Sequence, residues 1–423
     1  MKIFNWPKLK SNSFIYLTII TFLIGISSCK KDKKEDENIS PKTGSRTELT
    51  IDSLYLYAKE IYLWNDALPS YGSFSPREKY AYISPEINAL NKELFDISQL
   101  KINENTKLPF EYSYAGIPRY SYLETNFNRD IRAETKTISN IKNNDIIVSY
   151  SNDVVYFAIS SFPKLDILKK DLDNIFIDIA ERHPSTIILD LRYNRGGYIE
   201  TTEYLANLIA PSKLHGKIMY YEKFNDILST GNTKILKYQP YLDVNGNYVK
   251  INGRQATMAD VDFSEKGNTY HFSKQGKLES IENIYFITSG STASASELLI
   301  SIFKPYFKVK TVGQKTFGKP VGFFPIDIDR YSLYLSSFLL KNADGWFDYF
   351  NGIEPNIIVD LPSSPILGDP DEIGFRSILL DLGMSRKHAS KTKDASPKIK
   401  KIKIETNLLP KETLSIENRF KLK

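Results

Sequence analysis

"ILDLRYNRGGY", residues 188–198, runs from an unbroken apolar stretch into a polar turn and out toward a helix. With the residues before it, "STIILDL" (185–191) carries no polar–apolar alternation, the pattern of a strand covered on both faces. Arg192, Asn194, Gly196 and Gly197 crowd the turn, and residues 198–209 read as a helix. Paired glycines let backbone N–H groups approach a ligand closely, and N–H groups at a strand-to-helix turn suit an oxyanion. A plain tight turn would use the same residues, so the stretch by itself speaks for fold before chemistry.

The strand–turn–helix pattern recurs outward. "DVVYFAISSF" (153–162), "NIYFITS" (283–289) and "VKTVG" (309–313) read as further buried strands. After Pro163 a helix carries Leu165, Leu168, Leu172, Ile175, Phe176 and Ile179 on one face, and another begins near Ser294. Strands alternating with helices predict an α/β core. Earlier, "LTIDSLYLYAKEIYLW" (49–64) places Leu54, Leu56, Ala58, Ile61 and Tyr62 at helical spacing, and helical pattern continues near 76–98. Residues 108–150 are Tyr-rich and poorly periodic. From Ser385 a lysine-rich tail is expected to be loose, with a short apolar patch at "NLLP".

Two more stretches of the core carry chemistry. In "TSGSTASASELL" (288–299) small residues join a strand to a helix. A serine at that corner sits at a helix N-terminus, where the dipole favours negative charge, and the N–H of Ala295 can face the same oxyanion. Ser294 and Glu297 also satisfy the Ser-x-x-Glu capping box, which requires no catalysis. "GQKTFGKP" (313–320) fits a phosphate-binding loop until its last position, where Pro320 offers neither a hydroxyl nor an N–H. No nucleotide is expected there. A nucleophilic serine needs a base. His183, His215, His271 and His388 all lie in polar contexts. Lys319, in apolar surroundings between Gly318 and Pro320, can serve if burial lowers its pKa from about 10.4.

Asp190-Leu191-Arg192-Tyr193-Asn194-Arg195-Gly196-Gly197, Ala293-Ser294-Ala295-Ser296-Glu297 and Thr316-Phe317-Gly318-Lys319 follow in order, with 25 residues from serine to lysine. This set resembles the C-terminal processing, or tail-specific, serine peptidases over residues 150–380. "NGIEPNIIVD" (351–360) is similar to a further segment of that family, with Asn356 in place of Asp. The resemblance implies a crotonase-like α/β core of the Clp protease type, spanning 152–384. It implies Ser294 as nucleophile, Lys319 as general base and Glu297 as the group orienting the lysine. Ala295 and either Gly196 or Gly197 would supply the oxyanion N–H groups. The implied reaction is hydrolysis of protein or peptide substrates through an acyl-enzyme, with no metal and no cofactor. Two departures stand out. Phe323 occupies a position where some members carry Gln. The interval 65–151, where members usually hold a PDZ domain, contains only Gly72 and Gly116, so residues 108–151 are expected to be irregular or a degenerate PDZ.

The N-terminus sets the compartment. Lys2, Lys8 and Lys10 precede a run of 13 residues, Phe14–Ile26, too short to span a membrane but suited to a signal peptide. "ISSC" resembles a bacterial lipobox, with cleavage after residue 28 and lipid on Cys29, the one cysteine of the chain. Residues 29–48 read as a charged linker that cannot bury itself. Residues 49–107 follow as a helical segment, resembling that of lipoprotein family members, and 385–423 as a basic tail. The implied place is the bacterial outer membrane, and the charged tract resembles signals for display on the cell surface. Losing residues 1–28 lowers the net charge from +6 to +3, too little to suggest nucleic acid. The principal alternative is a non-catalytic binding lipoprotein on the same fold; a structural surface lipoprotein that only interacts is a second, and a Ser–His hydrolase a third.

Overall fold

The computed structural model describes residues 40–113, 115–125, 145–243, 246–384, 400–403 and 420–423. The signal peptide, Cys29, the linker through residue 39, the "NLLP" patch and His388 lie outside them.

A seven-stranded sheet organises the core. Its parallel heart consists of β3 (Val154–Ala158), β4 (Thr186–Asp190), β7 (Asn283–Thr288) and β8 (Lys308–Gly313). In space the order is β13 (Ile357–Ile358), β8, β7, β4, β3, β2 (Asp145–Ser151) and β14 (Lys400–Lys403). Every residue of β3 and β4 is buried, which the apolar runs predict for a sheet covered on both faces. On one face Val155, Phe157, Ile187, Leu189, Ile284 and Phe286 pack with α3 (Leu165–Ala180), α4 (Ile199–Ile209) and α5 (Ala295–Phe303). On the other, Tyr156, Ile188, Tyr285 and Val312 meet Phe375 and Ile378 of α6 (Ile373–Asp381). In α3, Leu168, Leu172, Ile175, Phe176 and Ile179 are buried as their spacing predicts, with Leu165 half-buried at the first position.

The sheet extends beyond the interval expected for the core. β2 pairs antiparallel with β3 across a turn at Asn152, and the tail's β14 pairs antiparallel with β2. The expected boundary at 151/152 therefore cuts through a hairpin. Flanking the core, β5 (Ile218–Phe224) lies in a four-stranded antiparallel sheet with β6 (Thr269–His271), β9 (Val321–Gly322) and β12 (Phe338–Asn342). β1 (Tyr122–Thr125), β10 (Pro325–Ile328) and β11 (Tyr331–Tyr334) form a three-stranded sheet.

The N-terminal helices pack against this body. α1 (Arg46–Ile61) opens with a capping box in which the Ser45 N–H donates to Glu48 Oε2 at 2.7 Å. It buries Leu54, Ala58 and Ile61 and packs on α2 (Glu86–Ser98). Beyond α1, Asn225 Nδ2 donates to the carbonyls of Glu60 and Tyr62, both at 2.9 Å, and Leu63 N–H donates to Ser336 O at 2.8 Å. Trp64 stacks on Phe110, which meets Phe350 edge-on, each with centroids 4.7 Å apart.

The last four residues are docked rather than loose. Phe420 is buried against Phe224, Phe263 and Phe324, and Asp262 N–H donates to Lys421 O at 2.8 Å. Phe420→Ala should therefore lower the unfolding free energy by about 3 kcal/mol. Denaturant titration checks this; an unchanged midpoint would mean the docking carries no stability.

Candidate active site

The register of the parallel strands brings three loops to one edge. Asp190 of β4 lies opposite Ile287 of β7, and Thr288 of β7 lies opposite Gly313 of β8. The chain leaves each strand at its carboxyl end, the edge where open α/β sheets bind ligands. The loops are 191–198, 289–294 and 314–320, the three stretches that carried the motifs.

Ser294 caps α5 with φ 63° and ψ −118°, a backbone setting that costs a non-glycine residue energy. It is buried, and its Oγ has no hydrogen-bond partner. Its N–H donates to Glu297 Oε2 at 2.9 Å, so the half of the capping box that runs from backbone to carboxylate is formed. Glu297 Oε2 also accepts the Lys319 N–H at 2.8 Å. Glu297 Oε1 accepts the Thr316 hydroxyl at 2.5 Å and the Gly318 N–H at 2.7 Å. One fully buried carboxylate thus fastens the serine's backbone to the lysine's. Burial pushes the Glu297 carboxyl above its ordinary range, against the pull of these donors, Thr316 foremost. A second tie runs beside the first, from Phe317 N–H to Thr292 O at 2.9 Å.

Lys319 is 8% exposed, with Nζ 4.6 Å from the centroid of the Phe323 ring. Phe323 thus lines the lysine from the position where some relatives carry Gln. Gly318 has φ +91°, and a Cβ there would meet Gly352 N and Phe350 O at 2.4 Å, so only glycine fits.

Gly196 presses on the serine: a Cβ on it would lie 2.9 Å from Ala293 O and 3.0 Å from both Ala295 N and Ser294 Cβ. Its N–H donates to Asn194 Oδ1 at 2.8 Å. Asn194 is wholly buried, its Nδ2 donating to Ile159 O at 3.2 Å and its carbonyl accepting Ser296 Oγ–H at 3.1 Å. Gly197 lies beside Phe162, whose carbonyl a Cβ would meet at 2.1 Å. The Arg192 side chain bonds to the end of β4 and the start of α6. It is 2% exposed, paired with Asp190 at 2.7 Å and held bidentately by Glu372 at 2.9 and 3.0 Å. Burial disfavours the Glu372 anion, but Arg192 outweighs it and holds the carboxyl below its ordinary value. Glu372 in turn caps α6 through the N–H groups of Gly374 and Phe375.

His183, His215 and His271 are exposed, and none bonds to the buried Ser294. Among the described residues no group of His, Cys, Asp and Glu is placed to hold a metal ion. Sequence reasoning missed Thr316 as a ligand of Glu297, although Thr316 stood inside the quoted motif. It also missed Arg119 and Tyr120, whose bonds to the lysine loop span 198 residues of chain and leave no local signal.

The model of peptidase family S41 matches residues 153–359. Residues 153–359 form an S41 peptidase domain. The matched family is one of serine peptidases, which act on proteins or peptides. A protein provisionally described as an S41 protease from Bacteroides fragilis is similar in fold, 19% identical, over 79% of this chain and 97% of that one, with a TM-score of 0.50. A lipoprotein from Streptococcus agalactiae is 17% identical over 77% of this chain and 96% of its own, with a TM-score of 0.46. A photosystem II D1 C-terminal processing protease is 13% identical over 76% and 95%, with a TM-score of 0.44. No curated protein matches the chain in sequence.

Glu297→Gln tests the central tie of the S41 site. Both Glu297 oxygens accept N–H groups, so the amide NH₂ would oppose a donor in either orientation. The unfolding free energy should fall by about 2 kcal/mol, read by denaturant titration; a neutral outcome would mean that the carboxylate is not needed as an acceptor.

Proposed function

We propose that this chain is an exported, lipid-anchored serine endopeptidase working by a Ser–Lys mechanism. The observation that carries it is the single carboxylate of Glu297 accepting the backbone N–H groups of both Ser294 and Lys319. A fold without catalysis has no need to join these two loops through one buried anion, whose removal from water is costly.

In this reading Ser294 Oγ attacks the carbonyl carbon of the scissile peptide bond, and Lys319 Nζ takes the hydroxyl proton. The carbonyl oxygen becomes an oxyanion at the N-terminus of α5, where Ala295 N–H is a donor. Gly196 has its N–H committed to Asn194, so Gly197 is the glycine assigned beside Ala295. As the tetrahedral intermediate collapses, the C–N bond breaks and the protonated lysine returns the proton to the departing amine. Water then attacks the Ser294 ester, giving its proton to Lys319, and the acid and the free serine are restored. Glu297 holds the two backbones in register and takes no part in proton transfer.

Export and anchoring rest on the basic start, the apolar run and the lipobox-like Ile26–Cys29, with the bacterial outer membrane as the site. Cys29→Ser should move the protein from the membrane to the soluble fraction; retention in the membrane would overturn the anchor.

Residues 30–423 incubated with an unfolded protein should cut it. Ser294→Ala and Lys319→Ala should each lower the rate by about 10⁴-fold while melting like the parent. Cleavage that survives in either variant would overturn the mechanism. A folded parent that cuts nothing would favour the binding-protein alternative.

A further inference from the structure

Lys319 follows two peptide units whose N–H ends both bond to Glu297: Phe317–Gly318, through Gly318 N–H, and Gly318–Lys319, through Lys319 N–H. The carbonyl ends of the same two units are also held. Arg119 Nη2 donates to Phe317 O at 2.5 Å, and the Tyr120 hydroxyl donates to Gly318 O at 2.6 Å. Each unit is therefore pinned at both ends, from opposite sides. The residue between them is glycine, free of the steric limits that would otherwise fix the angle between the planes. With Gly318 at φ +91°, the hydrogen bonds must do what a side chain would do elsewhere.

The donors are themselves secured. Tyr120 is buried, and its N–H donates to Glu111 Oε2 at 3.2 Å. The Ser121 N–H and hydroxyl both donate to Glu111, at 2.7 Å. Ser121 Oγ accepts the Ser336 N–H at 3.0 Å, which anchors the segment to the body that carries the site. The Arg119 guanidinium also lies 4.9 Å from the centroid of the Phe317 ring. All of these groups except Ser336 and the loop itself precede residue 153, where the S41 match begins.

We infer that Arg119 and Tyr120 are positioning residues for Lys319. They orient the two peptide units that aim its side chain, from a segment outside the matched domain. This rests on the Ser–Lys reading above.

The test is Tyr120→Phe in the full chain, which removes one hydroxyl and keeps the ring, with Arg119→Lys beside it. Two readouts are taken. In steady-state cleavage, kcat should fall about ten-fold for Tyr120→Phe, the scale of one lost buried hydrogen bond, with KM changed less than about two-fold. By hydrogen exchange and mass spectrometry, peptides covering 316–320 should exchange faster, while those of β4 and β7 stay as in the parent. Faster exchange together with lower kcat supports the inference. Unchanged exchange overturns it, because the loop is then held without Tyr120. Faster exchange with unchanged kcat also overturns it, because the restraint then serves nothing in catalysis. Lys319→Ala, run alongside, separates the two claims: if it still cleaves, the Ser–Lys reading has failed and the positioning role falls with it. If it is inactive while Tyr120→Phe behaves as the parent, only the positioning role has failed.

Discussion

A carboxylate taken out of water and given four donors holds the active edge of this protein together. Glu297 is wholly buried, and an anion in that position costs several kcal/mol unless its lone pairs are met. Ser294, Thr316, Gly318 and Lys319 meet them, from two loops on neighbouring strands. The cost of burial becomes a constraint: neither loop can move alone without leaving part of the carboxylate unpaired. Preorganisation of this kind is what an active site needs and what a surface loop ordinarily lacks.

The same principle works one strand away. Arg192 sits inside the sheet's margin between Asp190 and Glu372, and Tyr156 donates to Asp190 Oδ2 at 2.5 Å. This buried cluster joins the exit of β4 to the start of α6 and so fixes the turn from which Asn194, Gly196 and Gly197 reach the serine. Close backbone approach completes the arrangement. Gly196 against Ser294 and Gly318 against Phe350 and Gly352 leave no room for a Cβ. A buried carboxylate, a buried ionic cluster and a few glycines therefore set the geometry, and the apolar sheet beneath supplies the rigid frame.

Much of this was legible in the sequence. The buried parallel strands are unbroken apolar runs, and the helices between them carry clear stripes, so the α/β core followed from periodicity. The candidate site was legible as motifs because its residues cluster at three strand ends. What could not be read is what depends on distance along the chain. β9 to β12 are short strands of two to five residues, too brief for a period to announce them, although β10 and β12 alternate in burial once the sheets are formed. The tail looked loose by composition, yet one aromatic residue, Phe420, finds a pocket of three phenylalanines. Glu297 was expected to orient the lysine; that it accepts the lysine's backbone N–H is a detail that residue type cannot carry. Tyr120 lies in a stretch without periodicity, and only the folded chain shows its hydroxyl on Gly318.

The most direct measurement is to trap the acyl-enzyme. The protein is mixed with an activated peptide ester, quenched in acid within seconds, digested and sequenced by mass spectrometry. An acyl adduct on Ser294, formed by the parent and lost in Lys319→Ala, is the predicted result. An adduct on another residue, or turnover of a peptide substrate with Ser294 replaced by alanine, would contradict the assignment of this serine and lysine as the catalytic pair.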